Sequence, residues 1–265
     1  MSAPNNTRRK LALSTWEPPR EGNIYGKLTI DASKLVPFLT RFRETTGEKL
    51  TVTHLVGKAV ALALAKAPGL NGRILFGKYI PHETVDVTYL VSLEDGADLS
   101  KVKVPQTDQK SLVEIAQLLR ARAEKLRQGK DEDFEKTKGA VRLLPVFLLK
   151  PLVWFTGFLG GSLGISVPFL GVERFPFGSC IITSVGMLGI DEAFAPHTPF
   201  ARVPVLILVG AVKDSVVAVE GKMEIRPQLT VTATVDHRFV DGTQLGILAK
   251  LLRELLENPE RMMQG

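Results

Sequence analysis

Cys180 is the only cysteine in this 265-residue chain, so no disulfide can form within it, and a reducing compartment is expected. No apolar run follows the charged start MSAPNNTRRK; nothing there reads as a secretory leader, and the cytoplasm is the expected location. Histidine is scarce, at 54, 82, 197 and 237. The four are scattered without cysteine or acidic company, so no metal is expected. GMLG at 186–189 lacks the context of a nucleotide-binding glycine loop. Lysine and arginine exceed the acids by six charges, but they alternate with acids, as in RARAEKLRQGKDEDFEK at 120–136, and form no basic stripe with interleaved aromatics. A nucleic-acid partner is therefore not expected, and the charge supports only a mild attraction for anionic ligands. What is abundant is apolar content, 45% of residues, enough for one large core and a single domain over 1–265.

The most informative stretch is LTVTATVDHRFVDG at 229–242. Leu229, Val231, Ala233 and Val235 alternate with Thr230, Thr232 and Thr234, which predicts a half-buried strand. His237 follows at its end, Asp241 and Gly242 come next, and an amphipathic helix opens near Thr243. An imidazole held in a tight strand-to-helix turn is well placed to act as a general base, since its reference pKa of about 6.5 lets it take and return a proton near neutrality.

Elsewhere the elements are plain. A first strand is expected around GNIYGKLTIDASK, with Asp31 or Ser33 capping a helix over 34–46. Thr51 or Thr53 caps a second helix whose apolar residues Leu55, Val56, Ala59, Val60, Ala63 and Leu64 recur at three and four, with Pro68 ending it. His54 falls in its first turn as a polar helix-start residue. Short strands are expected over 72–104, an amphipathic helix over 111–129, a strand into a glycine-punctuated turn over 178–191, and buried strand from Val203. The last helix turns Leu245, Leu248, Leu252 and Leu255 inward and stops at Asn258-Pro259.

With NPERM closing that helix, DHRFVDG resembles the catalytic domain of the dihydrolipoamide acyltransferases of 2-oxoacid dehydrogenase complexes, relatives of chloramphenicol acetyltransferase that share the pattern His, three residues, Asp, Gly. VTHLVGKAVALALAKAPGLN at 52–71, IITSVGMLGIDEAFAP at 181–196 and VPVLILVGAV at 203–212 resemble the family in the same order, and the resemblance runs roughly from Arg8 to Met262. Arg8, Arg9 and Lys10 resemble the arginine-rich segment that opens the family's domain; a solvated basic end fits them as well. The resemblance implies an α/β fold, a two-layer sandwich with a mixed β-sheet covered by helices. It also implies a homotrimer or larger assembly of trimers with the active site between subunits, and CoA-dependent acyl transfer to a dihydrolipoyl-like thiol or another small nucleophile. By motif match His237 is the base, Asp241 holds its turn with Arg238 able to pair with it, and Thr183 donates to the oxyanion, with Ser184 as the fallback. A β-branched strand residue is the plain alternative for Thr183. Coenzyme A or acyl-CoA is then the substrate. No lipoyl domain or Ala/Pro-rich linker is visible, so a catalytic domain standing alone is expected, any lipoyl group being supplied in trans by a lipoyl-domain protein.

Two departures stand out. Relatives carry an apolar run where this chain has GADLSKVKVP at 96–105, which puts the acyl acceptor in doubt. An apolar insertion, residues 139–172, has no charge from Pro151 to Val172. Pro145, Pro151 and Pro168 are expected to break it into pieces. A helical hairpin buried against the domain or a neighbouring subunit, a membrane surface or partner-binding patch, and a membrane span are its three readings, in that order. The competing function is a non-catalytic trimeric scaffold or membrane/partner-binding protein that keeps the acyltransferase fold; retention of His237 and Asp241 counts against it.

Overall fold

A computed structural model of the chain describes residues 22–93, 98–128, 144–168, 171–240 and 242–263. The basic segment at 8–10 and Asp241 lie outside them. Six strands form one mixed sheet: β1 (Asn23–Asp31), β4 (Val87–Leu93), β5 (Asp98–Val104), β6 (Cys180–Ser184), β7 (Val205–Val219) and β8 (Lys222–Asp236), in the order β1-β8-β7-β6-β4-β5. β6 runs parallel to both of its neighbours and the other pairings are antiparallel. A separate hairpin joins β2 (Gly72–Leu75) to β3 (Lys78–Pro81).

Four helices cover one face: α1 (Leu35–Thr46), α2 (Val52–Lys66), α3 (Leu112–Arg127) and α5 (Gly242–Glu257). Their apolar stripes meet alternate strand residues, among them Val87, Tyr89, Ile182, Ile207, Leu229, Val231 and Val235, in one continuous core. The opposite face carries the smaller cluster of Ile181, Ala201, Val203, Leu206 and Leu208. There Thr232 and Thr234, the other half of the β8 alternation, are buried and donate to the carbonyls of Ala193 and Ala195. The GMLG turn is clamped against a bulge in β7, where Gly210 passes so near the Asp191 carbonyl that any Cβ would collide with it.

Local chemistry explains two of the helix starts. Thr51 accepts from His54 N, and Ser111 with Glu114 forms a reciprocal capping box. The expected cap of α1 is corrected: the helix opens at Lys34 without a side-chain cap, because the Asp31 carboxylate is taken up by Ser33 N and Arg226. Lys58, on the core face of α2, is 1% exposed. Its Nζ donates to the carbonyls of Asp108 and Lys110, each at 2.7 Å, and these bonds let a buried ammonium persist.

Among its described residues the insertion is not a hairpin. α4 (Val146–Gly157) runs directly into a π-helical stretch, Phe158–Leu163. Pro145 serves as its N-cap, and Pro151 sits inside the helix without ending it. Exposed on the outer side, the Pro151 ring costs one ladder hydrogen bond and goes no further. On the inner side Gly157, Gly160 and Gly161 admit close backbone approach: a Cβ on Gly157 or Gly160 would stand 2.6 Å from the carbonyls of Phe200 and Glu173. Arg73 Nε donates to Ser162 O. Lys101 and Lys103 reach the same region, Lys101 to Glu173 and Lys103 to the carbonyls of Arg174 and Phe175. The two lysines that set GADLSKVKVP apart thus fasten the segment that follows the insertion.

Candidate active site

β8 ends at Asp236, and the chain turns through His237 to Val240 before α5 begins. Backbone bonds tie the turn on both sides. Asp236 N donates to Pro204 O, His237 N to Gly22 O and Phe239 N to Asp236 O. The Asp236 carboxylate, in a residue 8% exposed, accepts from Arg238 N at 3.0 Å and from the guanidinium, Nη2 lying 2.6 Å from Oδ2. That fork braces the residues on either side of His237. Neither sequence spacing nor the family pattern draws attention to Asp236; an acid two residues before an arginine across a histidine is the signal it leaves. Asp241, expected to hold this turn and to pair with Arg238, lies outside the described residues.

The His237 ring is exposed, with Nδ1 2.8 Å from Val240 O. A carbonyl can only accept, so Nδ1 carries the proton and Nε2 presents a lone pair outward. That is the tautomer a general base needs. Two other histidines are poor candidates for this role, because burial holds His54 down at about 4, and burial with Arg73 close by does the same to His82. Among the described residues no group of three His, Cys, Asp or Glu side chains could hold a metal. A cleft of about 310 Å³ lies elsewhere, lined by Arg73, His82, Asp86, Arg174 and Phe175.

Thr183 stands near the end of β6, opposite Leu208, which in turn faces Thr232. It shares the face of Ile181 and Leu208, while Ser184 points to the helix side with Ile182. His237 is five residues beyond Thr232 and two strands across, which puts Thr183 roughly 20 Å from His237 within one chain at ordinary strand spacings. A base and an oxyanion donor serving the same carbonyl stand no more than about 9 Å apart, two hydrogen bonds plus the bonds between them. On these backbone spacings the two residues lie on separate parts of the sheet within one chain.

The sequence matches the family described as 2-oxoacid dehydrogenases acyltransferase (catalytic domain) over residues 19–141 and 170–264. The residues between hold α4 and its π-helical continuation. The dihydrolipoyllysine-residue succinyltransferase component of the Haemophilus influenzae 2-oxoglutarate dehydrogenase complex is 26% identical over 245 residues, covering 89% of this chain and 49% of that protein. The chain spans about half or less of the curated relatives it matches. In three dimensions it is similar to the cubic core of a pyruvate dehydrogenase multienzyme complex, with a TM-score of 0.67 at 22% identity over 97% of this chain and 87% of that one. It is also similar to chloramphenicol acetyltransferase, with a TM-score of 0.52 at 12% identity over 94% of each chain. The expected two-layer architecture with a mixed sheet is the observed one.

Proposed function

We propose that this chain, which belongs to the catalytic-domain family of the 2-oxoacid dehydrogenase acyltransferases, transfers an acyl group between coenzyme A and a thiol of the dihydrolipoyl kind. The observation that carries the reading is the His237 turn, where a main-chain carbonyl fixes the ring so that Nε2 is free to accept a proton. In the reaction Nε2 takes the proton of the attacking thiol, the sulfur adds to the thioester carbonyl carbon, and negative charge builds on the carbonyl oxygen. Collapse expels the departing thiolate, which recovers the proton from Nε2. A hydroxyl aimed at that oxygen, here Thr183, stabilises charge present only near the transition state, typically by about 3 kcal/mol. The resemblance assigns Asp241 the holding of the turn that the Asp236–Arg238 fork also braces.

The roughly 20 Å that strand spacings place between Thr183 and His237 supports a site completed by a neighbouring copy, His237 from one subunit facing Thr183 of the next. A homotrimer, or a larger assembly of trimers like the cubic core it resembles in fold, provides that arrangement. The lipoyl group then arrives on another polypeptide. Lys101 and Lys103, placed where relatives are apolar, leave a small amine, alcohol or thiol as the second class of acceptor.

Mass spectrometry of the purified protein with acetyl-, succinyl- and longer acyl-CoAs, each offered dihydrolipoamide or a small nucleophile, tests the reading. Acylated dihydrolipoamide with release of free CoA, lost in His237→Ala, is the expected result. No transfer from any donor by the assembled protein overturns it.

A further inference from the structure

The outward side of the insertion helix is apolar and uncovered. Phe147 is 73% exposed and Trp154 57%, with Leu148, Leu152, Phe155 and Ile165 also in solvent. Phe76, at the tip of the β2–β3 hairpin, is 81% exposed and meets Phe158 edge-on, ring centroids 6.4 Å apart, so the patch extends past the insertion onto the domain. The helical stretch Val146–Leu163 has a mean hydropathy of 1.5 and one charged residue, Lys150.

We propose that this face lies in the headgroup layer of an anionic lipid bilayer, with α4 parallel to the membrane plane. Two observations beyond apolarity select that occupant. The first is charge. Arg73, Lys101, Lys103, Lys150, Arg174 and Arg202 lie on the insertion or bind the segment around it, against three carboxylates, Glu83, Asp86 and Glu173. Arg202 sits over the Trp154 ring, 5.8 Å from its centroid. An apolar helix face with tryptophan and phenylalanine at its border and cations beside it matches an interface of acyl chains and acidic headgroups. An isologous contact with a second copy would instead set this cationic border against itself.

The second observation is orientation. The inner side of the helix is committed to the domain through Gly157, Gly160 and Gly161, whose missing side chains let Phe200, Glu173 and Arg202 close in. A helix turned upright through a bilayer would lose those contacts and expose their polar backbone to hydrocarbon. Lying flat keeps them and buries only the outer aromatic side. Membrane binding of this kind does not depend on the acyl-transfer reading.

Flotation of the full chain with vesicles of phosphatidylcholine, alone or mixed with phosphatidylglycerol, tests it. The protein should float at least about tenfold better with the anionic vesicles, as expected for several cations each contributing near a charged surface, and should be released as salt is raised. Trp154 emission, read in a Trp16→Phe background, should shift to the blue on binding. Phe147→Glu with Trp154→Glu should abolish flotation while leaving the circular dichroism spectrum unchanged and lowering the melting temperature slightly, because Trp154 stacks on Phe158 and lies under Arg202. Absence of flotation, or flotation indifferent to phosphatidylglycerol, overturns the proposal. So does a wild type that stays off vesicles while the double substitution lowers the mass of the lipid-free assembly, because the face would then be a contact between copies.

Discussion

The carbonyl of Val240 lies 2.8 Å from Nδ1 of His237, and this contact decides which ring nitrogen is left to act. Removing the ring should cost catalysis and little else. His237→Ala is expected to lower turnover by about two to four orders of magnitude, with an unchanged melting temperature, because the side chain is exposed and outside the core. Stopped-flow or steady-state thiol assays on the folded variant check this; near-normal turnover would remove His237 from the mechanism.

Asp236 and Arg238 bracket that histidine, so their fork should be felt as a loss of position and not of binding. Asp236→Asn is expected to lower kcat roughly tenfold with little change in KM, the sign of an interaction that counts in the transition state. It should also cost about 1–3 kcal/mol of stability, because a charge-assisted buried network is broken. Adding Arg238→Ala should make matters little worse, since the two residues act as one unit. Fully additive losses in the double variant would show that they act separately.

If Thr183 and His237 meet across subunits, two dead proteins should make a live one. His237→Ala and Thr183→Val, each inactive or nearly so, are expected to regain activity when mixed under conditions that allow subunit exchange, about one quarter of interfaces being intact in an equal mixture around a closed ring. Mass photometry or labelled subunits verifies exchange. An exchanged mixture no more active than its parts would mean that each chain builds its own pocket.

Acid should weaken the fold through His54 and His82. Both are held at about 4 in the folded chain, His54 by burial and His82 by burial and then Arg73, against about 6.5 when unfolded. Below pH 6.5 the unfolded chain takes up protons that the folded chain refuses. Their contribution is therefore complete above pH 6.5, falls as pH drops towards 4, and amounts to on the order of 3 kcal/mol for each ring. Urea midpoints from pH 7.5 to 4.5 should fall accordingly, and more gently in His82→Gln. A flat midpoint across that range would contradict neutral burial of these rings.

Much of this fold was legible in the sequence because period and punctuation agree. The β8 alternation, the capping threonine at 51 and the leucines of α5 each answer to local geometry. Lys58 was not legible: nothing in VTHLVGKAVALALA shows that two carbonyls, 50 and 52 residues on, wait for its ammonium. Pro151 misled for a related reason, whereas Pro145 does bound α4. A proline's cost depends on whether its ring meets neighbours or solvent, and only the packed structure shows that Pro151 faces out. At the candidate site, the position of His237 just past a strand's end was legible, whereas its separation from Thr183 is a matter of register across β6, β7 and β8, which no single segment records. Asp236 was missed because its function is to brace a neighbour.

The spacing of Thr183 and His237 along one sheet has a consequence for the life of the single chain. On the proposed shared site, a newly made or dissociated subunit would carry half of each of two sites and a whole one of neither, and so would have no competent centre at which water could consume a thioester. Activity then belongs to the assembly, and specific activity should decline on dilution at the concentration where subunits part.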